Sequence, residues 1–285
     1  MIIDSHVHIF SSQIIANVSA KSEMVKELHL QTSDAHKRIG TNALEDECHA
    51  AGAVACLMLP TAKAQDVRKV NVSSQKIAEE NDFLYTAGTL HPDYPETREE
   101  LFWLKSNGIN TIKLCSFSQG FALNSPKTLR MFDAIRDFNM NEDGRFFVIM
   151  DTFYKADIYF GTDPRNNTSP SGLGNLVRHY PEINFIGAHM GGLTAPFDEI
   201  CDYLPRSENF YMDTSNAAHT LQEEEFVRLV RRHGPGHILF GTDWPWFGYA
   251  DEITLIDKLL GHAGFGDEEK ARVFAGNIAD LLGTH

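Results

Sequence analysis

The sequence predicts a (β/α)8 barrel. Eight short apolar or β-branched runs alternate with amphipathic segments along the chain, none is followed by the Gly-x-Gly-x-x-Gly turn of an open doubly wound sheet, and 285 residues suit a closed barrel. The runs are Ile2 to Ile9, Ala53 to Leu59, Phe83 to Leu90, Ile109 to Cys115, Phe146 to Met150, Ile183 to Ala188, Phe210 to Asp213 and Ile238 to Gly241. Gly52 and Gly108 end two of the helical segments between them, Ser125-Pro126 begins a third with a cap and a first-turn proline, and Gly234 ends a fourth. Final helices from Asp267 to Leu282 would cover the last seam. With no repeat, low-complexity tract or linker, residues 1–285 read as a single domain.

Two connections are too long for plain βα turns. An inserted helical segment follows strand one, from Ser11 to about Ala51, with helical patches near Ile14 to Leu30 and Ala43 to Ala51; the other runs from Thr152 to Ser171 after strand five. At the carboxyl rim of a barrel such insertions usually form lids or substrate walls.

Composition excludes several classes of function. The chain carries 25 Lys+Arg against 39 Asp+Glu, a net charge of -14, which argues against a nucleic-acid or anionic-membrane surface. Cys48, Cys56, Cys115 and Cys201 form no Cys-x-x-Cys pair and sit mostly in apolar segments, as reduced thiols of a cytoplasmic protein do. No signal-peptide pattern and no apolar run long enough to span a bilayer is present. The expected partner is a small-molecule substrate. A homodimer is compatible with a barrel of this kind, but nothing in the sequence marks an interface.

Chemistry concentrates where the strands end. In Asp4-Ser5-His6-Val7-His8 the two histidines share one face of strand one, about 6 to 7 Å apart along the chain, a spacing from which two imidazoles can grip one cation. An isolated His-x-His is also common as an incidental pair. The other strand ends supply His91, Lys113, Asp151, His189, Asp213 and Asp243, all of which a barrel would gather at one mouth. The remaining histidines, His29, His36, His49, His179, His219, His233, His237, His262 and His285, fall in helices, loops or strand starts and read as surface groups.

Four motifs in order resemble the amidohydrolase superfamily: Asp-Ser-His-Val-His on strand one, Ile-Lys-Leu on strand four, Ile-Gly-Ala-His-Met-Gly-Gly on strand six and Ile-Leu-Phe-Gly-Thr-Asp-Trp-Pro on strand eight. With Gly-Asn-Ile-Ala-Asp-Leu-Leu near the end, the chain is most similar to the amidohydrolase-related branch that includes aminocarboxymuconate semialdehyde decarboxylase. The resemblance implies that His6, His8 and Asp243 bind a divalent metal ion, with zinc as the first expectation and manganese as the alternative. It implies that His189 handles a proton of the activated water, with Asp243 as its catalytic partner. The pattern departs from many relatives at two places. Lys113-Leu114-Cys115-Ser116 stands where they read Lys-Leu-His-Pro, and Asp151 stands where they place a strand-five histidine ligand. Asp151 is therefore either a replacement metal ligand or a carboxylate hydrogen-bonded to a ligand histidine. Lys113, His91 and Trp244 are candidates for the surrounding shell or for substrate contact; carboxylation of Lys113 to bridge two metals would call for further histidines, so one ion is expected.

An ion with an open position lowers the pKa of water from 15.7 toward about 7, which suits attack on a carbonyl. The leading expectation is a metal-dependent hydrolase of a small amide, lactone or cyclic ester. The same ligands would serve a non-oxidative decarboxylase of an aromatic or unsaturated acid. A third reading, from a different class, is a barrel whose substituted positions leave it binding a ligand without catalysis.

Overall fold

The computed structural model describes residues 1–142 and 145–284; His285 lies outside them. Strands occupy the eight expected places: β1 (Ile3–Val7), β2 (Ala55–Met58), β3 (Leu84–Thr86), β4 (Gly88–Thr89), β5 (Thr111–Leu114), β6 (Phe147–Met150), β7 (Asn184–Gly187), β8 (Phe210–Asp213) and β9 (Ile238–Leu239). The third place is divided into β3 and β4 at Ala87. Beyond the break, the Asn71 side chain takes strand-like bonds to Thr89, accepting from its N–H at 2.7 Å and donating to its carbonyl at 3.0 Å. Gly88 lies so close to the helix Thr97–Ser106 that a Cβ there would come within 2.4 Å of a Leu104 methyl.

The chain forms two compact units. The first comprises Met1–Met58, Asn81–Tyr85 and the chain from Asp213 onward. Its centre is β1, paired in parallel with β2 through Ile3↔Ala55, Asp4↔Cys56 and Val7↔Met58. On the other side of β1, Ser5 N–H donates to Phe240 O at 2.9 Å and Val7 bridges Trp244; beyond β9, Thr214 N–H donates to Leu239 O at 3.0 Å. Every residue of β1 is buried, as in a strand covered on both faces, and Gly241 permits the approach of β9: a Cβ there would lie 2.9 Å from the His6 Cβ.

After β1 come four short helices: α1 (Ser12–Ser19), α2 (Ser22–Glu27), α3 (Thr32–Ala35) and α4 (Gly40–Ala50). Ser11 caps α1 by accepting from Ile14 N–H. Each helix commits one or two side chains to the interior, Ile15, Met24, Ala35, Leu44 and Cys48, and Gly52 at φ 75° turns the chain into β2.

The second unit comprises Leu59–Glu80 and Thr86–Met212. Here β4 to β8 lie side by side in sequence order, all parallel, so that Gly88, Ile112, Val148, Phe185 and Phe210 form one continuous row. The helix Pro126–Asn141 starts as its sequence predicts, with Ser125 Oγ accepting from Thr128 N–H at 3.1 Å and Pro126 in the first turn, and it buries Phe132, Ile135 and Phe138. Aromatic packing fixes the long segment after β6: Phe117, in the short helix Ser116–Gln119 after β5, stands 5.9 Å from Phe153 and 5.1 Å from Phe160, centroid to centroid. Among the described residues no helix is long and apolar enough to cross a membrane.

Candidate metal centre

His6, in β1, is held from behind by Asp4, and His8 follows one residue beyond the strand. The Asp4 carboxylate accepts from the main-chain N–H of His6 at 2.9 Å and of Thr242 at 3.1 Å, and from the Thr242 hydroxyl at 2.5 Å. Pairing of β1 with β2 becomes irregular over this stretch, between Asp4 and Val7. Burial pushes the Asp4 carboxyl up to about 7, against the lowering effect of those hydrogen bonds.

His6 and His8 meet edge to face, with ring centroids 4.9 Å apart and their Nε2 atoms 3.1 Å apart. Asp243 Oδ1 lies 3.8 Å from His6 Nε2 and 3.6 Å from His8 Nε2. Two nitrogens and a carboxylate oxygen thus form a triangle with edges of 3.1 to 3.8 Å. Donors bound at about 2.0 to 2.1 Å around a tetrahedral ion stand about 3.3 Å apart, so these three residues fit such an ion and leave a fourth position open. Asp243 reaches the triangle from a left-handed backbone, φ 61°, which a residue with a Cβ keeps only when its surroundings impose it. Its N–H donates to His6 O at 3.0 Å, which fixes its height against β1. His8 stacks on Phe10 at 4.8 Å and 11°, and Phe10 tilts against Trp246 at 5.7 Å.

Asp213, at the end of β8, is a strand-end carboxylate to which the sequence pattern assigns no role. Its Oδ2 lies 2.9 Å from His6 Nδ1, with both side chains fully buried. Ser215 Oγ donates to Asp213 Oδ1 and stands 3.0 Å from the same Nδ1, so a proton on Nδ1 is shared between two acceptors. A histidine bonded this way keeps its Nε2 lone pair directed at the triangle, the carboxylate–imidazole arrangement found behind metal ligands. The available signal was chemical: a ligand histidine needs an acceptor for its other nitrogen, and Asp213 ends β8, one strand beyond β9. His219 is half-buried rather than a plain surface group; it stacks on Phe247 at 4.1 Å and meets the buried Glu252 at 2.6 Å. Trp244 is fully buried, its main chain bridging Val7 and accepting from His8 N–H at 2.8 Å.

In the second unit, Lys113, Asp151 and His189 come together. Asp151 Oδ2 is 3.9 Å from Lys113 Nζ and 3.9 Å from His189 Nε2, and its Oδ1 accepts from Phe153 N–H at 3.1 Å. Burial alone would raise the Asp151 carboxyl; the His189 ring and the Lys113 ammonium outweigh it and hold the group well below the usual carboxylate range. The Lys113 ammonium is buried with no hydrogen bond among the described residues, and the Asp151 carboxylate stands at ion-pair distance from it. His189 sits at φ 53°. His91 is occupied locally: Nε2 bonds to Gln119 O at 3.1 Å and Nδ1 accepts from Asp93 N–H at 3.0 Å, so it fixes its loop.

The amidohydrolase family matches residues 3–284 of this sequence. The chain belongs to the amidohydrolase family. Solved structures resemble it along nearly its whole length. An uncharacterised TIM-barrel protein from Bordetella bronchiseptica superposes with a TM-score of 0.75 at 15% identity, covering 99% of this chain and 98% of its own. A 5-carboxyvanillate decarboxylase from Novosphingobium aromaticivorans, complexed with manganese and a nitrobenzoic acid, gives 0.71 at 15%, covering 99% and 96%. A probable 2-pyrone-4,6-dicarboxylic acid hydrolase from Acinetobacter baumannii gives 0.64 at 15%, covering 99% of both chains. No curated protein matches the chain significantly. This amidohydrolase therefore has the (β/α)8 barrel fold that the alternation of its strands predicts, and its His/Asp cluster is compatible with the divalent metal of its family.

Proposed function

We propose that this amidohydrolase is a metal-dependent hydrolase of a small cyclic carbonyl compound, a lactone, cyclic ester or amide. The observation that carries the reading is the triangle of His6, His8 and Asp243 with Asp213 behind His6. We read the two units as one domain, 1–285, since one family match spans residues 3–284. Zinc is our first assignment and manganese the alternative, because two imidazoles and a carboxylate suit either.

Bound there, a divalent ion would polarise the substrate carbonyl and make water acidic enough to act near neutral pH. The residues supply the rest. Asp243, with Oδ1 toward the imidazoles, takes the water proton on its carboxylate. In a barrel of this class the strand ends share one rim, and we assign His189 to the same reaction as the group that steadies charge on the carbonyl oxygen and passes a proton to the leaving group. Asp151 and Lys113 orient and balance His189; we place Asp151 in that role rather than among the ligands, because its Oδ2 is already turned to Lys113 and His189. Phe10, half-buried beside His8, offers a flat apolar face to a planar substrate.

A second reading is non-oxidative decarboxylation of an aromatic acid, favoured by the neighbour that decarboxylates 5-carboxyvanillate. In that reaction the same acid and base protonate the ring carbon that loses carbon dioxide. Incubating metal-loaded protein with lactones, amides and hydroxybenzoates, and following ring opening against carbon dioxide release, separates the two. Replacing His6 and His8 together with alanine should abolish either activity; unchanged turnover would refute the assignment.

A further inference from the structure

The segment that carries Asp243 is bound carbonyl by carbonyl. Asp243 O accepts from Trp246 N–H at 3.0 Å and Trp244 O from His8 N–H at 2.8 Å, both bonds formed within the site. Pro245 O accepts from Arg38 Nη1 at 3.3 Å and Trp246 O from Gln31 N–H at 3.2 Å. Two of these four bonds therefore come from the helical insertion that follows β1, far from Asp243 in sequence. Arg38 is the node. Its Nε donates to Glu47 Oε1 on α4 at 2.7 Å, and Nη1 also meets Gln31 Oε1 at 3.3 Å, so one guanidinium ties two parts of the insertion to the loop. The contact is close-fitting on the loop side as well: a Cβ on Gly248 would stand 2.5 Å from Arg38 Nη2. A rigid fork of donors can serve these three acceptors at once, which a lysine cannot.

We propose that Arg38 is a positioning residue for the metal site, holding the loop Asp243–Gly248 so that the Asp243 carboxylate faces the two imidazoles. The insertion is then a buttress of the centre, not the lid or substrate wall its length suggested. The left-handed backbone of Asp243 gives the clamp its purpose, since that conformation relaxes unless the residues after it are held. This inference rests on the reading of His6, His8 and Asp243 as metal ligands.

The test uses the full chain loaded with manganese or zinc, with dissociation constants from competition against a chromophoric chelator, and the visible spectrum of the cobalt(II)-loaded protein as a report on coordination. The variants are Arg38→Ala, Arg38→Lys, Gly248→Ala, and Lys270→Ala, which removes a separate ion pair to Asp257 of 2.9 Å in the same unit. Arg38→Ala should bind metal about tenfold more weakly, at the lower end of effects from groups that orient ligands, and should change the intensity of the cobalt bands. Arg38→Lys should recover only part of the loss. Gly248→Ala, which displaces the guanidinium without removing it, should reproduce the Arg38→Ala result and keeps the test valid should that variant fail to fold. Lys270→Ala should behave as wild type. Wild-type affinity and an unaltered spectrum in both Arg38→Ala and Gly248→Ala would overturn the proposal, as would an equal loss in Lys270→Ala. If the wild-type chain itself takes up no ion, the metal reading fails and this inference falls with it, whereas uptake unaffected by the variants defeats this inference alone.

Discussion

Asp213→Ala tests the geometry behind His6. The substitution removes a carboxylate 2.9 Å from His6 Nδ1 at a place where neither side chain sees solvent, so the ring loses its charged acceptor in a dry environment. Leaving a buried donor short of its partner costs about 1–3 kcal/mol. Ser215 Oγ, 3.0 Å from the same nitrogen, remains and can accept in place of Asp213, which moves the expectation toward the middle of that range. A loss of about 2 kcal/mol corresponds to about thirtyfold in metal affinity, within the ten- to hundredfold typical of partners that orient metal-binding histidines. Asp213→Ala with Ser215→Ala should lose more than either change alone, because the two acceptors share one donor. Chelator competition gives the dissociation constants, and far-UV circular dichroism confirms that the variants fold. Wild-type affinity in the double variant would refute the argument.

Four further outcomes follow from the packing and the charges. Gly241→Ala places a methyl 2.9 Å from the His6 Cβ, and the forced shift should cost about 1–3 kcal/mol in urea unfolding while weakening metal binding; an unaffected protein would mean that β9 has room to move. Glu100 is fully buried and accepts from Arg68 Nε at 2.6 Å, Asn71 Nδ2 at 2.8 Å and the Tyr94 hydroxyl at 3.1 Å. Glu100→Ala should cost about 2–3 kcal/mol, discounted because Arg68 is half-exposed. Burial first, and then the Glu100 charge, push the Tyr94 phenol up to about 12, so in Glu100→Gln its ionisation should move down toward the ordinary tyrosine value in an ultraviolet pH titration. All four thiols are buried, and burial pushes Cys56 and Cys115 well up. Thiol reagents at pH 8 should therefore modify the native protein slowly and release four thiols per chain in denaturant; rapid labelling of the folded protein would contradict the packing.

Much of the architecture could be read from the sequence because parallel strands covered on both faces are written as short unbroken apolar runs. The third run misled in one respect: Phe83 to Leu90 looks continuous, yet Asn71, distant in sequence, replaces a strand partner at Thr89 and the ladder breaks at Ala87. His6, His8 and Asp243 were legible because their spacing and flanking residues carry the pattern. Asp213, Gln31 and Arg38 were not, since a single carboxylate at a strand end or an arginine in a helical insertion gives no periodic signal; their roles exist only as hydrogen bonds across long sequence separations. Asp151 was legible in part: its position in the pattern offers either a ligand or a carboxylate bonded to a ligand histidine, and its Oδ2 stands 3.9 Å from both Lys113 Nζ and His189 Nε2.

The measurement that bears most directly on the account is anomalous diffraction from crystals grown with manganese or zinc, combined with elemental analysis of the same protein. One ion per chain, contacting His6 Nε2, His8 Nε2 and an Asp243 oxygen, is the predicted result. An ordered ion held by other residues, or none at saturating metal, would contradict it.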